Sequence, residues 1–246
     1  MSKKDREGNR AARAAAIQKE QAARERRRKV LVVVVVLVVL AAVVAAGVLF
    51  SGDDKPAASK GSSPKAVARG QALVVGDNPD AKVKVIVYED FLCPYCREFE
   101  SASRTFLHQD AEAGKVLVEY RPFHLLQDPY STRALTAWAA VLQKGTGKQA
   151  LAFHDLLFQN QPYESDVSKP GADRLVTLAK KAGVTDDTVL NAIRKDDNTA
   201  FVSASSLTAS EADVKGTPTV VVNDKVLVGA SATAMSDQLK ALIAKG

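Results

Sequence analysis

The sequence predicts an α/β domain with a helical insertion, preceded by one transmembrane helix, and three observations lead there. An apolar strand, a segment of helical period and an alternating strand follow one another over residues 83–123, the pattern of a parallel strand pair joined by a helix. Several helical periods separate that unit from two short strands and a closing helix near the C-terminus. Residues 30–50 are 21 positions without a charge or a strongly polar side chain, enough as a helix to cross a hydrocarbon core of roughly 30 Å.

Residues 1–29 are polar and alanine-rich and end in Arg26-Arg27-Arg28-Lys29. They hold eleven Lys or Arg against four Asp or Glu, a charge of +7, so the formal +6 of the chain lies there and the remainder sums to −1. That excludes a basic nucleic-acid-binding face on the folded domain. The basic cluster keeps the tail cytoplasmic by the positive-inside rule and sends the rest outward, with anionic lipid headgroups as a further contact. The competing reading of residues 30–50 is a cleaved signal peptide. Its apolar region normally runs about 7–15 residues, and Ala45-Ala46-Gly47 lies inside the run rather than after it. The expectation is therefore an uncleaved single-pass signal anchor at 30–50, a Ser/Gly/Pro/Lys linker at 51–69, and a folded domain over 70–246.

Within the domain, Leu73–Gly76 reads as a short strand and Asp77–Asp80 as a turn. Val83–Tyr88 is the central strand. A helix runs from Pro94 to about Ala113, with Phe99, Ala102, Phe106 and Leu107 at helical spacing and Gly114 as its stop. Val116–Phe123 is the second strand of the parallel pair. Helical faces follow in Leu135/Trp138/Leu142, Phe153/Leu156/Leu157, Leu175/Leu178/Ala182 and Val189/Leu190/Ile193, the last capped by Thr185. Trp138 reads as core. A helix over Thr199–Glu211, a strand at Thr219–Val222, a turn at Asn223-Asp224, a strand at Val226–Val228 and an amphipathic helix with Met235, Leu239, Leu242 and Ile243 complete the chain.

The only two cysteines, Cys93 and Cys96, stand at the junction of the central strand and its helix. A disulfide framework needs partners distant in sequence, so the pair points to dithiol chemistry. With Cys93 as N-cap, Pro94 occupies the first helical position, where a missing N–H is harmless. Unpaired backbone N–H groups and the positive end of the helix dipole then favour the Cys93 thiolate, the attacking species. Cys96 lies about one turn on and more buried, placed to attack a mixed disulfide. Zinc needs four ligands, and His108, His124 and His154 are scattered in the chain, so neither metal nor cofactor is expected. Glu89 and Asp90 read either as proton acceptors for Cys96 or as a strand-end pair facing water, the second favoured because carboxylates are seldom buried. His124 and His154 read as structural.

Asp90-Phe91-Leu92-Cys93-Pro94-Tyr95-Cys96 resembles the active-site segment of the DsbA-like family, and Gly216-Thr217-Pro218-Thr219 resembles its cis-proline segment. Phe153-His154-Asp155-Leu156-Leu157-Phe158 resembles a stretch of its insertion helices. The two principal motifs stand about 120 residues apart in the family's order, and the resemblance covers about residues 70–245. It implies a thioredoxin-like fold with a helical insertion, with Cys93 and Cys96 catalytic and Pro94, Tyr95, Thr217 and Pro218 contacting substrate. It also implies that Pro218 is cis, an uncommon X–Pro state that marks a required turn.

The implied activity is membrane-anchored, extracytoplasmic thiol–disulfide exchange with cysteines of exported proteins, in the oxidising direction, with a membrane partner reoxidising the dithiol. No dimerisation module of the family's isomerases is evident. The strongly oxidising members carry Pro-His between the cysteines where this chain has Pro94-Tyr95, a dipeptide shared with glutaredoxins and some isomerases. Direction of electron flow therefore stays open. A reductase in haem or copper maturation and a non-catalytic surface binding module are the alternatives.

Overall fold

The computed structural model describes residues 64–166 and 168–245. The expected basic tail, the anchor at 30–50 and most of the linker lie outside these residues. Among the described residues no helix is long and apolar enough to cross a membrane.

Strands β1 (Ala66–Arg69), β2 (Ala72–Val75), β3 (Val83–Glu89), β4 (Val116–Pro122), β5 (Thr219–Val222) and β6 (Lys225–Val226) form one sheet in the order β1-β2-β4-β3-β5-β6. Only β3 and β4 run parallel, in register from Val83 opposite Val116 to Glu89 opposite Pro122. The crossover between them is α1 (Pro94–Glu112), as the β-α-β pattern predicts. Alternation decides which face each strand residue takes. Val83, Val85 and Val87 of β3 and Val116, Val118 and Tyr120 of β4 point into the main core with Phe99 and Leu107 of α1. Tyr88 points the other way, into a small second cluster with Phe123 and Ala209.

The buried stripe of α1 is Cys96, Phe99, Glu100, Ser103, Leu107 and Ala111. It corrects the expected stripe: Ala102 is exposed and Phe106 only half-buried, because the helix is rotated to put Cys96 inward. After α1, Gly114 takes φ +70°, a left-handed turn that favours glycine.

The insertion comprises α2 (Pro129–Lys144), α3 (Gly147–Gln159), α4 (Ala172–Lys181) and α5 (Asp187–Lys195). Helix α2 is apolar nearly all round and packs against α3, α4 and α5. Its Trp138 is fully buried, with Nε1 donating to Ala150 O at 3.1 Å. The cap of α5 is Asp186, which accepts from Thr188 N at 2.7 Å, rather than Thr185. Helix α6 (Thr199–Glu211) contributes Ala209 to the second cluster, and α7 (Ala232–Lys245) packs beside α1.

Two further expectations change at the sheet edges. Ala66–Arg69, read as linker, is an edge strand, held against the start of α3. A Cβ on Gly147 would come 1.7 Å from Ala66 O. At the other edge the hairpin turns through Asn223 and Asp224, at φ +46° and +64°, the geometry that favours such residues. Its second strand is only Lys225–Val226, followed by one more backbone bond from Leu227 N to Val220 O at 2.7 Å.

Candidate active site

The dithiol sits where β3 leaves the sheet. Cys93 is the N-cap of α1, in extended geometry, and Pro94 opens the helix. Three sets of contacts fix the turn that carries it. Asp90 O accepts from Cys93 N at 3.0 Å. The Asp90 carboxylate accepts from Leu92 N at 2.8 Å, from Leu125 N and Leu126 N at 2.9 Å each, and from Ser131 Oγ at 2.7 Å. Gln161, beyond the end of α3, donates from Nε2 to Phe91 O at 3.1 Å and to Cys93 O at 3.0 Å. Phe91 itself lodges among Trp138, Phe158 and His154, with ring centroids 5.2–6.0 Å apart. The helical insertion therefore holds the active-site turn.

Asp90 and Glu89 do not face water. Both are fully buried; partners distant in sequence satisfy Asp90, and His154 engages Glu89 through Oε1, as burial of a carboxylate requires.

Both sulfurs are free thiols in this structure. The Cys93 thiol donates to Thr217 O at 3.3 Å, and Thr217–Pro218 is cis. The cis-proline segment thus meets the dithiol, as the motif order implies. The two sulfurs have opposite acidities. A hydrogen bond from the Cys96 thiol, then the Thr217 side chain and the N–H groups of Cys96 and Tyr95, outweigh burial and bring Cys93 down to about 6. Burial, then hydrogen bonding to and the charge of Cys93, push Cys96 well above an ordinary thiol.

Beneath the dithiol lies a polar cluster that sequence spacing missed. His154 Nε2 meets Glu89 Oε1 at 2.5 Å, and His154 Nδ1 lies 3.3 Å from Asp155 Oδ1. Glu100 is fully buried, and neither of its oxygens has a hydrogen-bond partner. Glu89 Oε2 and the Tyr120 hydroxyl are likewise buried and unpartnered. Burial, then the charge of Glu89, push Glu100 up to about 8. Burial pulls the His154 imidazole down, but the facing carboxylates, Glu89 foremost, raise it well above the usual value. The potential ligand atoms of Glu89, Glu100 and His154 lie within 4.8 Å of one another, close enough to surround a cation. The signal in the sequence was a glutamate inside the apolar stripe of α1. His154 is buried and bonded, as a structural histidine would be, whereas His124 stays half-buried.

Outside, Tyr95 and Tyr163 are 65% and 66% exposed, with the Arg97 guanidinium 5.6 Å over the Tyr163 ring. A shallow groove of about 520 Å³ runs along Pro94, Tyr95, Glu98, Ser101 and Thr233.

The thioredoxin family profile matches residues 69–245. Disulfide bond formation protein D of Bacillus subtilis (strain 168) is 27% identical over 161 residues, covering 65% of this chain and 70% of the relative. The crystal structure of BdbD from Bacillus subtilis, in its oxidised form, superposes with a TM-score of 0.61 at 25% identity, covering 75% of this chain and 98% of that one. The reduced DsbA of Mycobacterium tuberculosis superposes with a TM-score of 0.57 at 27% identity, covering 74% and 93%.

Proposed function

The chain belongs to the thioredoxin family and is a protein disulfide oxidoreductase, and on that premise we propose that it works as an oxidase of exported proteins, held at the membrane by residues 30–50. A substrate thiolate attacks Cys93 Sγ, the Cys93–Cys96 bond breaks, and Cys96 leaves with the electron pair. A second substrate thiolate then attacks the substrate sulfur of the mixed disulfide and expels Cys93 as thiolate. The substrate has lost two electrons and the dithiol has gained them. A membrane redox partner removes them again.

The observation that carries the direction is the setting of Cys93: a helix N-terminus whose N–H groups and the Cys96 thiol face its sulfur. Whatever stabilises that thiolate stabilises the reduced protein, and a stabilised reduced form makes the disulfide a stronger oxidant. Pro94 and Tyr95 on one side and Thr217 and Pro218 on the other are the residues placed to hold the substrate chain. The expected outward location agrees, since disulfides persist outside the cytoplasm.

The test is the reduction potential of the full-length chain, together with partner capture by Cys96→Ala. A potential well above that of thioredoxin, about −270 mV, and trapped exported proteins are expected. A value at or below thioredoxin's would assign the chain to the reductases, and failure to trap any protein through Cys93 would sink the exchange reading.

A further inference from the structure

A partly enclosed cavity of about 200 Å³ opens away from the dithiol, on the face of the sheet that Tyr88 takes. Four elements build it. The β1–β2 hairpin turns through Gly70 at φ +60° and contributes Arg69 and Gln71. Strand β3 contributes Tyr88 and β4 contributes Arg121, which stand opposite each other in the parallel register. Helix α6 lies over the same face and contributes Ser205 and Thr208.

The donors on this lining are unspent. Among the described residues, the Arg69 guanidinium, the Gln71 amide and the Tyr88 hydroxyl have neither a hydrogen-bond partner nor an ion pair. Tyr88 is only 5% exposed, and a buried ring normally gives its hydroxyl a partner, which the protein does not supply here. Arg121 turns Nε and one terminal nitrogen to Glu119, at 2.7 and 2.5 Å, and lies 5.8 Å over the Tyr88 ring. Its other terminal nitrogen is left over. Ser205 Oγ and Thr208 Oγ1 donate to Val202 O and Ala204 O at 3.0 Å each, so what they have left to offer is oxygen lone pairs. No carboxylate lines the cavity. With Glu119 offsetting Arg121, the site carries about one uncancelled positive charge, that of Arg69.

We propose that this cavity binds a small hydroxylated carboxylate, its anion held by Arg69 with Arg121, Tyr88 and Gln71, and its hydroxyls donating to Ser205 and Thr208. The planar fork of a guanidinium matches the two oxygens of a carboxylate. One uncancelled charge suits a singly charged anion better than a phosphate monoester, which carries close to two. The donors and the acceptors belong to different elements, sheet and helix, so a ligand that spans them needs both kinds of group. The volume equals that of roughly seven waters, the size of a sugar acid rather than of a peptide. The site is separate from the dithiol and does not rest on the exchange reading.

The test is calorimetric titration of the full-length chain with gluconate, glucuronate and lactate at about 0.1 M salt, where long-range attraction is screened. Saturable one-to-one binding of at least one of the three is expected. Its Kd should rise at least tenfold in Arg69→Gln, which removes a charge-assisted bond, and several-fold in Tyr88→Phe, which removes a neutral one. Arg69 is exposed, so Arg69→Gln retains the fold, and its rate of thiol exchange with a model peptide should equal that of the wild type. Glucitol, similar in size to gluconate but uncharged, should not bind. No saturable binding of any of the three acids, or an affinity unmoved by Arg69→Gln, would overturn the site. Inorganic phosphate binding more tightly than all three would overturn the ligand class, and glucitol binding as well as gluconate would overturn the role of the guanidinium. None of these results touches the exchange reading, which partner capture by Cys96→Ala decides.

Discussion

The unpartnered acid on α1 makes a quantitative prediction about stability. In the unfolded chain Glu100 titrates near the ordinary glutamate value of 4.5, and in the folded protein at about 8. Between those values the native state binds a proton that the unfolded state has lost, so stability falls as pH rises. The slope is roughly 1.4 kcal/mol per pH unit. Folding should therefore forfeit about 3 kcal/mol at pH 7 and about 5 kcal/mol above pH 8, relative to pH 4. Glutamine at this position carries no proton to lose. The advantage of Glu100→Gln over the wild type should thus grow by that amount across the window, whatever constant offset the amide introduces. Urea unfolding of the oxidised chain between pH 5 and 8.5, followed by the fluorescence of Trp138, the sole tryptophan and fully buried, measures it directly. A difference that stays flat over that range would mean Glu100 is charged in the folded state, and the reasoning about its orphaned oxygens would fail.

Three more outcomes follow from the same geometry. Because the Cys96 thiol is the first cause of the low Cys93 value, Cys96→Ala should raise the Cys93 titration by about 1 to 2 pH units, the equivalent of one charge-assisted hydrogen bond. Thiolate absorbance against pH reads it, and an unmoved midpoint near 6 would assign the shift to Thr217 and the helix terminus. Asp90→Asn puts an amide among four donors that now face a carboxylate, and should cost about 3 to 5 kcal/mol in urea unfolding. A loss below 1 kcal/mol would show that the turn does not depend on it. Gln161→Ala strips a partner from the Phe91 and Cys93 carbonyls. It should cost about 1 to 3 kcal/mol and slow thiol exchange, and an exchange rate equal to wild type would leave Gln161 a purely structural residue.

What the sequence disclosed and what it hid divide along the reach of the interactions. The capping of α1 by Cys93 and Pro94 is local, and so are the alternation of β3 and β4 and the order of the two motifs. All of these were legible. Edge strand β1 was not, because its residues read as linker and acquire a strand only through β2 and the close approach of Gly147. The burial of Glu89 and Asp90 depends on His154, Leu125, Leu126 and Ser131, none of them near in sequence. General expectation about carboxylates therefore pointed the wrong way. Gln161 carries no local signal, because its bonds to the Phe91 and Cys93 carbonyls arise only when the insertion folds back over the turn. Glu100 left a trace, a charge at a position whose helical neighbours Cys96, Phe99, Ser103 and Leu107 are all inward, and a stripe drawn through Ala102 concealed it.

The same separation of near and far explains why one helix can give its two sulfurs opposite characters. Cys93 stands before the first turn, where N–H groups are unspent and an anion is welcome. Cys96 stands within the helix, beyond those donors and inside the core, where only the neutral thiol is tolerable. These two conditions reinforce each other, because the retained proton of Cys96 is what hydrogen-bonds the Cys93 thiolate. Keeping the inner sulfur protonated is thus the same physical act as keeping the outer one ionised. The acidity of Cys93 should accordingly depend on the buried Cys96 thiol as well as on the Pro94-Tyr95 dipeptide between the cysteines, and a histidine at position 95 is not the only route to a stabilised thiolate.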